Sequence, residues 1–145
     1  NIRDPGNLGT MLRTAWATNV SQVLLPPGNV DVTNPKVVRA GMGAHFYVSI
    51  RPVTWDALRE MIAAAKIWLA EMREGDPYSE ADWHENIALI IGGEAAGAGP
   101  EARALAQHHV YIPMAPGVDS LNAAIAAAIL MFEVARQQSR LSSPA

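Results

Sequence analysis

Three segments of this chain carry residue types at spacings that can do chemistry. The first opens the sequence: the turn cluster Asp4-Pro5-Gly6-Asn7 feeds a helical pattern, and Arg13 falls about one and a half turns into it. An arginine there offers a permanently charged planar fork that suits a phosphate. The second is an apolar run at 86–91 that enters Gly92-Gly93-Glu94-Ala95-Ala96-Gly97, a glycine-rich turn with one carboxylate. Glycines after a strand permit positive φ and a close approach of backbone to a neighbour. The third passes from Ile112-Pro113-Met114 through a short loop to Ser120-Leu121-Asn122 and a long apolar helix. Each segment also has a plain reading. Gly92 to Gly97 can be an ordinary strand-to-helix turn, Arg13 and Glu94 solvated charges, Ser120 an N-cap and Asn122 a hydrogen-bonder at the helix start.

The elements that must position these residues follow from periodicity. Leu8, Met11, Leu12, Ala15 and Trp16 recur at helical spacing, which predicts a helix over 7–18 with Asn7 as its cap. Residues 20–25 read as a buried strand stopped by Pro26-Pro27-Gly28. Asn34-Pro35 predicts a capped helix to about residue 40, and 46–50 is a β-rich run. Thr54 opens another helix, and 66–70 fits either its continuation or a strand. The acidic stretch 76–85 reads as a surface loop, and 86–91 as a fully buried parallel strand. A helix at 101–108, a short strand at 110–112 and an apolar helix over 120–138 complete the pass, with a frayed tail beyond 139. Alternating strands and helices predict an α/β domain with a mostly parallel sheet flanked by helices.

Composition narrows the function classes. The chain has 145 residues, 11 Lys+Arg against 14 Asp+Glu, a net charge of −3 and no cysteine. That length suits one domain with a sizeable core. Absence of cysteine excludes a disulfide scaffold, thiolate catalysis and cysteine-ligated zinc. No apolar run reaches the ~18 residues of a membrane helix. The acidic balance excludes nucleic-acid binding by bulk charge, so any such contact is local, with Arg3, Arg13, Arg39 and Arg51 as candidates. His45, His84, His108 and His109 show no zinc-ligand spacing, and no metal is expected. Trp16, Trp55, Trp68 and Trp83 are read as core or interface residues rather than base-stacking platforms. A dinucleotide fingerprint would need glycine at position 94 and an acid about 20 residues on, and 109–114 holds no acid.

Together, in this order and spacing, the three segments resemble the three signature motifs of the SpoU (TrmH-type) RNA ribose methyltransferases of the SPOUT superfamily. The resemblance runs from Asn1 to about residue 140. It rests on Asn7 with Arg13-Thr14-Ala15, on Gly92-Gly93-Glu94 with Gly97, and on Ile112-Pro113-Met114 with Ser120-Leu121-Asn122. It implies a SPOUT-type α/β fold with a C-terminal trefoil knot, S-adenosylmethionine as methyl donor, and a cytoplasmic homodimer joined through the apolar C-terminal helix. The implied reaction is methyl transfer to a ribose 2′-hydroxyl of structured RNA, ribosomal ahead of transfer RNA. A knotted RNA-binding module without turnover is the alternative. By motif position Gly92, Gly93, Gly97, Ile112, Met114 and Leu121 would contact the cofactor. Asn7, Arg13, Glu94, Ser120 and Asn122 would form the catalytic set, Arg13 clamping an RNA phosphate and orienting the hydroxyl. Two positions depart from the family pattern: Ala123 stands where valine is frequent, and Ala98 where a bulky aliphatic residue is usual. The resemblance also implies a single catalytic domain over 1–145 that lacks the strand normally preceding the first motif and any N-terminal RNA-binding domain.

Overall fold

The helices start where a short polar side chain can cap them, and the strands lie where apolar residues follow one another. The computed structural model describes residues 1–93 and 97–139. Helix α1 (Pro5–Ala17) is capped by Asp4, whose carboxylate accepts from the Asn7 amide at 2.8 Å. The expected cap, Asn7, instead lies inside the first turn and supplies the amide that is capped. Proline at 5 fits the first helical position, which places the cap at residue 4. Strand β1 (Gln22–Leu25) follows, then α2 (Pro35–Gly41), capped by Asn34 as expected. The β-rich run at 46–50 is displaced. Left-handed Met42 and Gly43 wind the chain into a 3-10 turn over Ala44–Phe46, and extended backbone resumes only in β2 (Ser49–Pro52).

Helix α3 (Trp55–Met61) is capped by Thr54, and β3 (Lys66–Glu71) resolves the ambiguity at 66–70 in favour of a strand. After the two-residue β4 (Asp76–Pro77) come β5 (Ile87–Ile90), α4 (Pro100–Leu105), β6 (His108–Tyr111) and α5 (Ala123–Gln137). The helix expected over 101–108 ends early because His108 and His109 enter the β6 ladder against Trp68 and Leu69. The helix expected from 120 begins at Ala123. Its cap is Asn122, which accepts from the amides of Ala124 and Ile125, so Ser120 lies outside it.

The strands form a pair, β1-β2, and a sheet ordered β4-β6-β3-β5, and every ladder is parallel. All strands of the larger sheet therefore end on one edge, the edge where open α/β sheets bind ligands. One side of the core gathers Leu8, Met11, Leu12 and Ala15 of α1 with Val37 of α2 and Ala123, Ala124 and Ala127 of α5. Gly9 lets α1 cross α2 closely: a Cβ there would sit 2.6 Å from the Val37 carbonyl oxygen. The acidic stretch 76–85 is more than the expected surface loop. Ala81 and Trp83 are buried, Trp83 against Trp68, and the indole Nε1 donates to the Tyr78 carbonyl at 3.0 Å. Gln137 of α5 ties this stretch down, accepting from the Trp83 amide and donating to the Ala81 carbonyl. Trp68 and Trp83 are core residues, whereas Trp16 is exposed and stacks on Tyr47.

An apolar slot of about 680 Å³ opens between β1 and β5, lined by Val23, Leu24, Ala88 and Ile90 with α1 on one flank. β1 pairs only with β2, and β5 only with β3, so each has an unpaired edge among the described residues. No described helix is long and apolar enough to cross a membrane.

Candidate active site

The first and third segments meet at one point. The Asn122 side chain donates from Nδ2 to Oδ1 of Asn7 at 3.0 Å, across 115 residues of sequence. Two secondary structures hold this contact. Asn7 rides on the first turn of α1, and Asn122 is fixed by the two amides it caps at the start of α5. α1 packs against α5 through Leu8, Leu12, Ala124 and Ala127, which share one buried cluster. The buried faces of the two helices thus bring two amide side chains together at their N-termini, where helix dipoles favour negative charge.

The glycine segment lies beside the start of the first segment. Gly93 and Gly97, after β5, exchange backbone hydrogen bonds at 3.0 and 3.1 Å. Glycine is required at 92, because a Cβ would fall 2.6 Å from the Ala98 nitrogen. At Gly93 it would fall 2.4 Å from the Asn1 carbonyl oxygen, so the first and second segments touch here. Glu94, between them, lies outside the described residues.

The third segment leaves the same sheet edge from β6, with only β3 between it and β5. Ile112 packs into the cluster that includes Ile91 and Leu89. Met114 and Leu121 are half-buried, as are Gly92 and Gly93, which leaves apolar surface and bare backbone accessible along this edge. Ser120 is exposed in the loop before α5. Arg13 is exposed on α1, about 9 Å along the helix axis from Asn7, and makes no ion pair among the described residues. Of the predicted site residues, Gly92 lines the large slot, and Asn7, Arg13, Ser120 and Asn122 do not.

Pairings invisible in the sequence appear nearby. Glu71, at the end of β3, takes Arg103 of α4 as its ion-pair partner, with Nη2 to Oε2 at 3.3 Å. His109 of β6 stands 3.8 Å from the same carboxylate, and Glu74 completes a group whose ligand-type atoms lie within 4.8 Å of one another. The guanidinium makes this a charge network that braces α4 against the sheet. The residues come from three elements, so no local spacing announces it.

The comparisons with known proteins follow this geometry. Residues 1–132 match the SpoU rRNA Methylase family. The chain is 36% identical over 137 residues to the 23S rRNA (guanosine(2553)-2′-O)-methyltransferase RlmP of Bacillus subtilis, covering 92% of this chain and 54% of that protein. It is 37% identical over 190 residues to human rRNA methyltransferase 3, mitochondrial, covering 94% of this chain and 45% of the relative. Among solved structures, the AdoMet-bound rRNA methyltransferase from Sinorhizobium meliloti superposes with a TM-score of 0.89 at 35% identity, over 98% of this chain and 55% of that one. The chain spans about half the length of the curated relatives it matches. A family match over nearly the whole chain, on a parallel α/β fold whose packed helices bring Asn7 to Asn122, places this protein in the SpoU rRNA methylase family.

Proposed function

We propose that this chain is the catalytic domain of an S-adenosylmethionine-dependent RNA 2′-O-ribose methyltransferase acting on ribosomal RNA. The observation that carries the reading is the Asn7–Asn122 hydrogen bond, which unites the first and third segments. The names of the relatives support the same chemistry: RlmP is a 2′-O-methyltransferase of 23S rRNA, and the Sinorhizobium meliloti structure holds AdoMet.

The cofactor, when bound, supplies a sulfonium methyl group. Gly92, Gly93 and Gly97 would hold it through main-chain groups, and Ile112, Met114 and Leu121 would give it an apolar bed. The remaining work is positioning. The ribose hydroxyl is a weak nucleophile and must attack in line, so fixing its orientation lowers the barrier most. Arg13 is assigned to an RNA phosphate, which anchors the ribose and directs its hydroxyl. A guanidinium gives up its proton too reluctantly to serve as a base, so clamping is the role assigned to it. Asn7 and Asn122 orient one another and the sugar, Ser120 shapes the loop beside them, and Glu94 is assigned to accepting hydrogen bonds from neighbouring groups.

Three further readings belong to this proposal. The polypeptide forms a trefoil knot at its C-terminal half. It works as a cytoplasmic homodimer through α5, where Ile125 (50% exposed), half-buried Ile129 and Phe132 (45% exposed) follow one another at helical spacing along one face. The slot between β1 and β5 takes one more parallel strand leading into Asn1, which completes a single catalytic domain.

The test begins with calorimetric titration of S-adenosylmethionine, with NADH as the control ligand. The expected result is saturable binding of the methyl donor alone. Ribosomal RNA is then incubated with labelled donor and hydrolysed in alkali. A 2′-O-methylated nucleotide survives as an alkali-resistant dinucleotide, because alkaline cleavage uses the free 2′-hydroxyl. Arg13→Ala should abolish that product while leaving cofactor binding intact. Cofactor binding with no product from any RNA would refute turnover and support the inactive RNA-binding module.

A further inference from the structure

The corner where α1 meets the 3-10 turn carries an aromatic surface that the fold does not use. Phe46 is 88% exposed, Tyr47 67%, Met42 64% and Trp16 42%. Trp16 and Tyr47 stack with ring centroids 4.2 Å apart and planes within 3° of each other. Scattered exposed apolar residues are ordinary on a protein surface. These are not scattered: two are in ring contact and Phe46 is the next residue along the chain. The corner is also firmly built. Ala44 and Val48 are buried on either side of the pair, and the amides of Tyr47 and Val48 both donate to the Ala44 carbonyl. His45 is anchored at Val32, with Nε2 2.9 Å from its carbonyl oxygen.

Charge says what partner fits. Between residues 5 and 55 the chain carries Arg13, Lys36, Arg39 and Arg51 against a single acid, Asp31, although its net charge is −3. Lys36 and Arg39 are exposed on α2, which packs against both α1 and the 3-10 turn. Arg13 stands three residues before Trp16, which makes the two neighbours on the surface of α1. Aromatic faces beside cations that outnumber the acids are the elements that hold single-stranded nucleic acid. A two-fold contact with a second copy would instead bring these cations face to face.

We propose that Phe46 and the Trp16–Tyr47 pair form a stacking platform for unpaired nucleobases flanking the ribose that Arg13 positions, so that the substrate is a single-stranded or looped RNA segment. This rests on the ribose-methylation reading and names the form of RNA it needs.

The test is fluorescence anisotropy with the whole chain, without cofactor, using a labelled 12-nucleotide single-stranded RNA and its duplex as probes. Phe46→Ala should weaken single-strand binding by about 5- to 150-fold, the range of one lost base stack, and change duplex binding less than about twofold. Phe46→Trp should retain single-strand affinity, since any flat aromatic face serves. Equal single-strand affinity of wild type and Phe46→Ala overturns the platform, as does preference for duplex or failure of the wild type to bind RNA. So does a dimer that Phe46→Ala breaks while RNA affinity holds, which would make the patch a contact between copies. The ribose-methylation reading is scored separately, by the alkali-resistant product of the wild-type chain.

Discussion

Asn122 caps α5 and bonds Asn7 through different atoms of one side chain, and that allows the capping role and the proposed site role to be separated. Its Oδ1 accepts from Ala124 and Ile125, capping α5, while its Nδ2 donates to Asn7. Asn122→Ala removes all three bonds. Loss of the cap costs about 0.5–2 kcal/mol. The Asn7 bond joins surface-accessible groups that water can replace, so its loss adds at most about 0.5–1.5 kcal/mol. For a domain of this size each kcal/mol lowers Tm by roughly 2–4 °C, so a fall of about 1–14 °C is expected by differential scanning calorimetry. Asn122→Asp keeps an acceptor at the helix N-terminus and adds a charge that the dipole favours, so Tm should return to within about 2 °C of the parent. Yet an ionised carboxylate cannot donate to Asn7. The Asn7 amide must turn to present its NH2 group, and methyl transfer should stay low. An unchanged Tm in Asn122→Ala refutes the capping assignment. Full activity in Asn122→Asp refutes the claim that the bond to Asn7 orients the site.

Other perturbations follow from the same packing. Trp83→Ala removes a fully buried indole, its contact with Trp68 and its bond to Tyr78, and should cost about 3–5 kcal/mol by denaturant titration. Gly9→Ala pushes α1 off Val37 and Ala40 and should lower both Tm and methyl transfer, because the displaced helix carries Asn7 and Arg13. The Glu133 carboxyl is held below its ordinary 4.5, first by its hydrogen bond from Arg136, then by Gln137. A depressed folded-state value means the contribution is fully present above the unfolded value. It is lost as pH falls through the folded one, so acid unfolding curves of Glu133→Gln should be flatter below pH ~4.5 than those of the parent. Replacing Phe132 by Glu on the exposed face of α5 should convert a dimer to monomer by sedimentation velocity.

Much of this architecture was legible in the residues, for local reasons. Proline after a capping residue marks α2 at Asn34-Pro35, and continuous apolar runs mark β1 and β5. The errors lie where two local signals compete or where distance enters. Asp4 and Asn7 are both good caps, and only Pro5, restricted to the first helical position, decides between them. Ser120 and Asn122 pose the same choice without a proline, and here the loop geometry decided for Asn122. His108 and His109 are neutral between helix and strand, and pairing with Trp68 and Leu69 settled them. In the acidic stretch the charges point to a surface loop, and Trp83, a residue too large and apolar to leave in water, overrides them.

The candidate site shows the same division. Its residues could be named from three short segments, but what they do to one another is a tertiary fact. Asn7 and Asn122 meet only because the apolar faces of α1 and α5 pack together, and nothing within either segment specifies that contact. The consequence is physical. A site whose two polar partners sit on the first turns of two packed helices is as well ordered as the contact between those helices. Small residues make that contact close: Ala15 on α1, and Ala123, Ala124 and Ala127 on α5, are all buried. Valine, which the family pattern favours at 123, would add two methyl groups where the alanine is already buried, and overpacking of this kind costs about 1–3 kcal/mol unless neighbours yield. The departure at Ala123 is therefore read as part of a tighter approach of α5, which brings the Asn122 amide to within 3.0 Å of Asn7. If so, Ala123→Val should lengthen that contact and lower methyl transfer more than it lowers Tm. An equal or greater loss of stability with normal transfer would show that the helix contact and the site are independent.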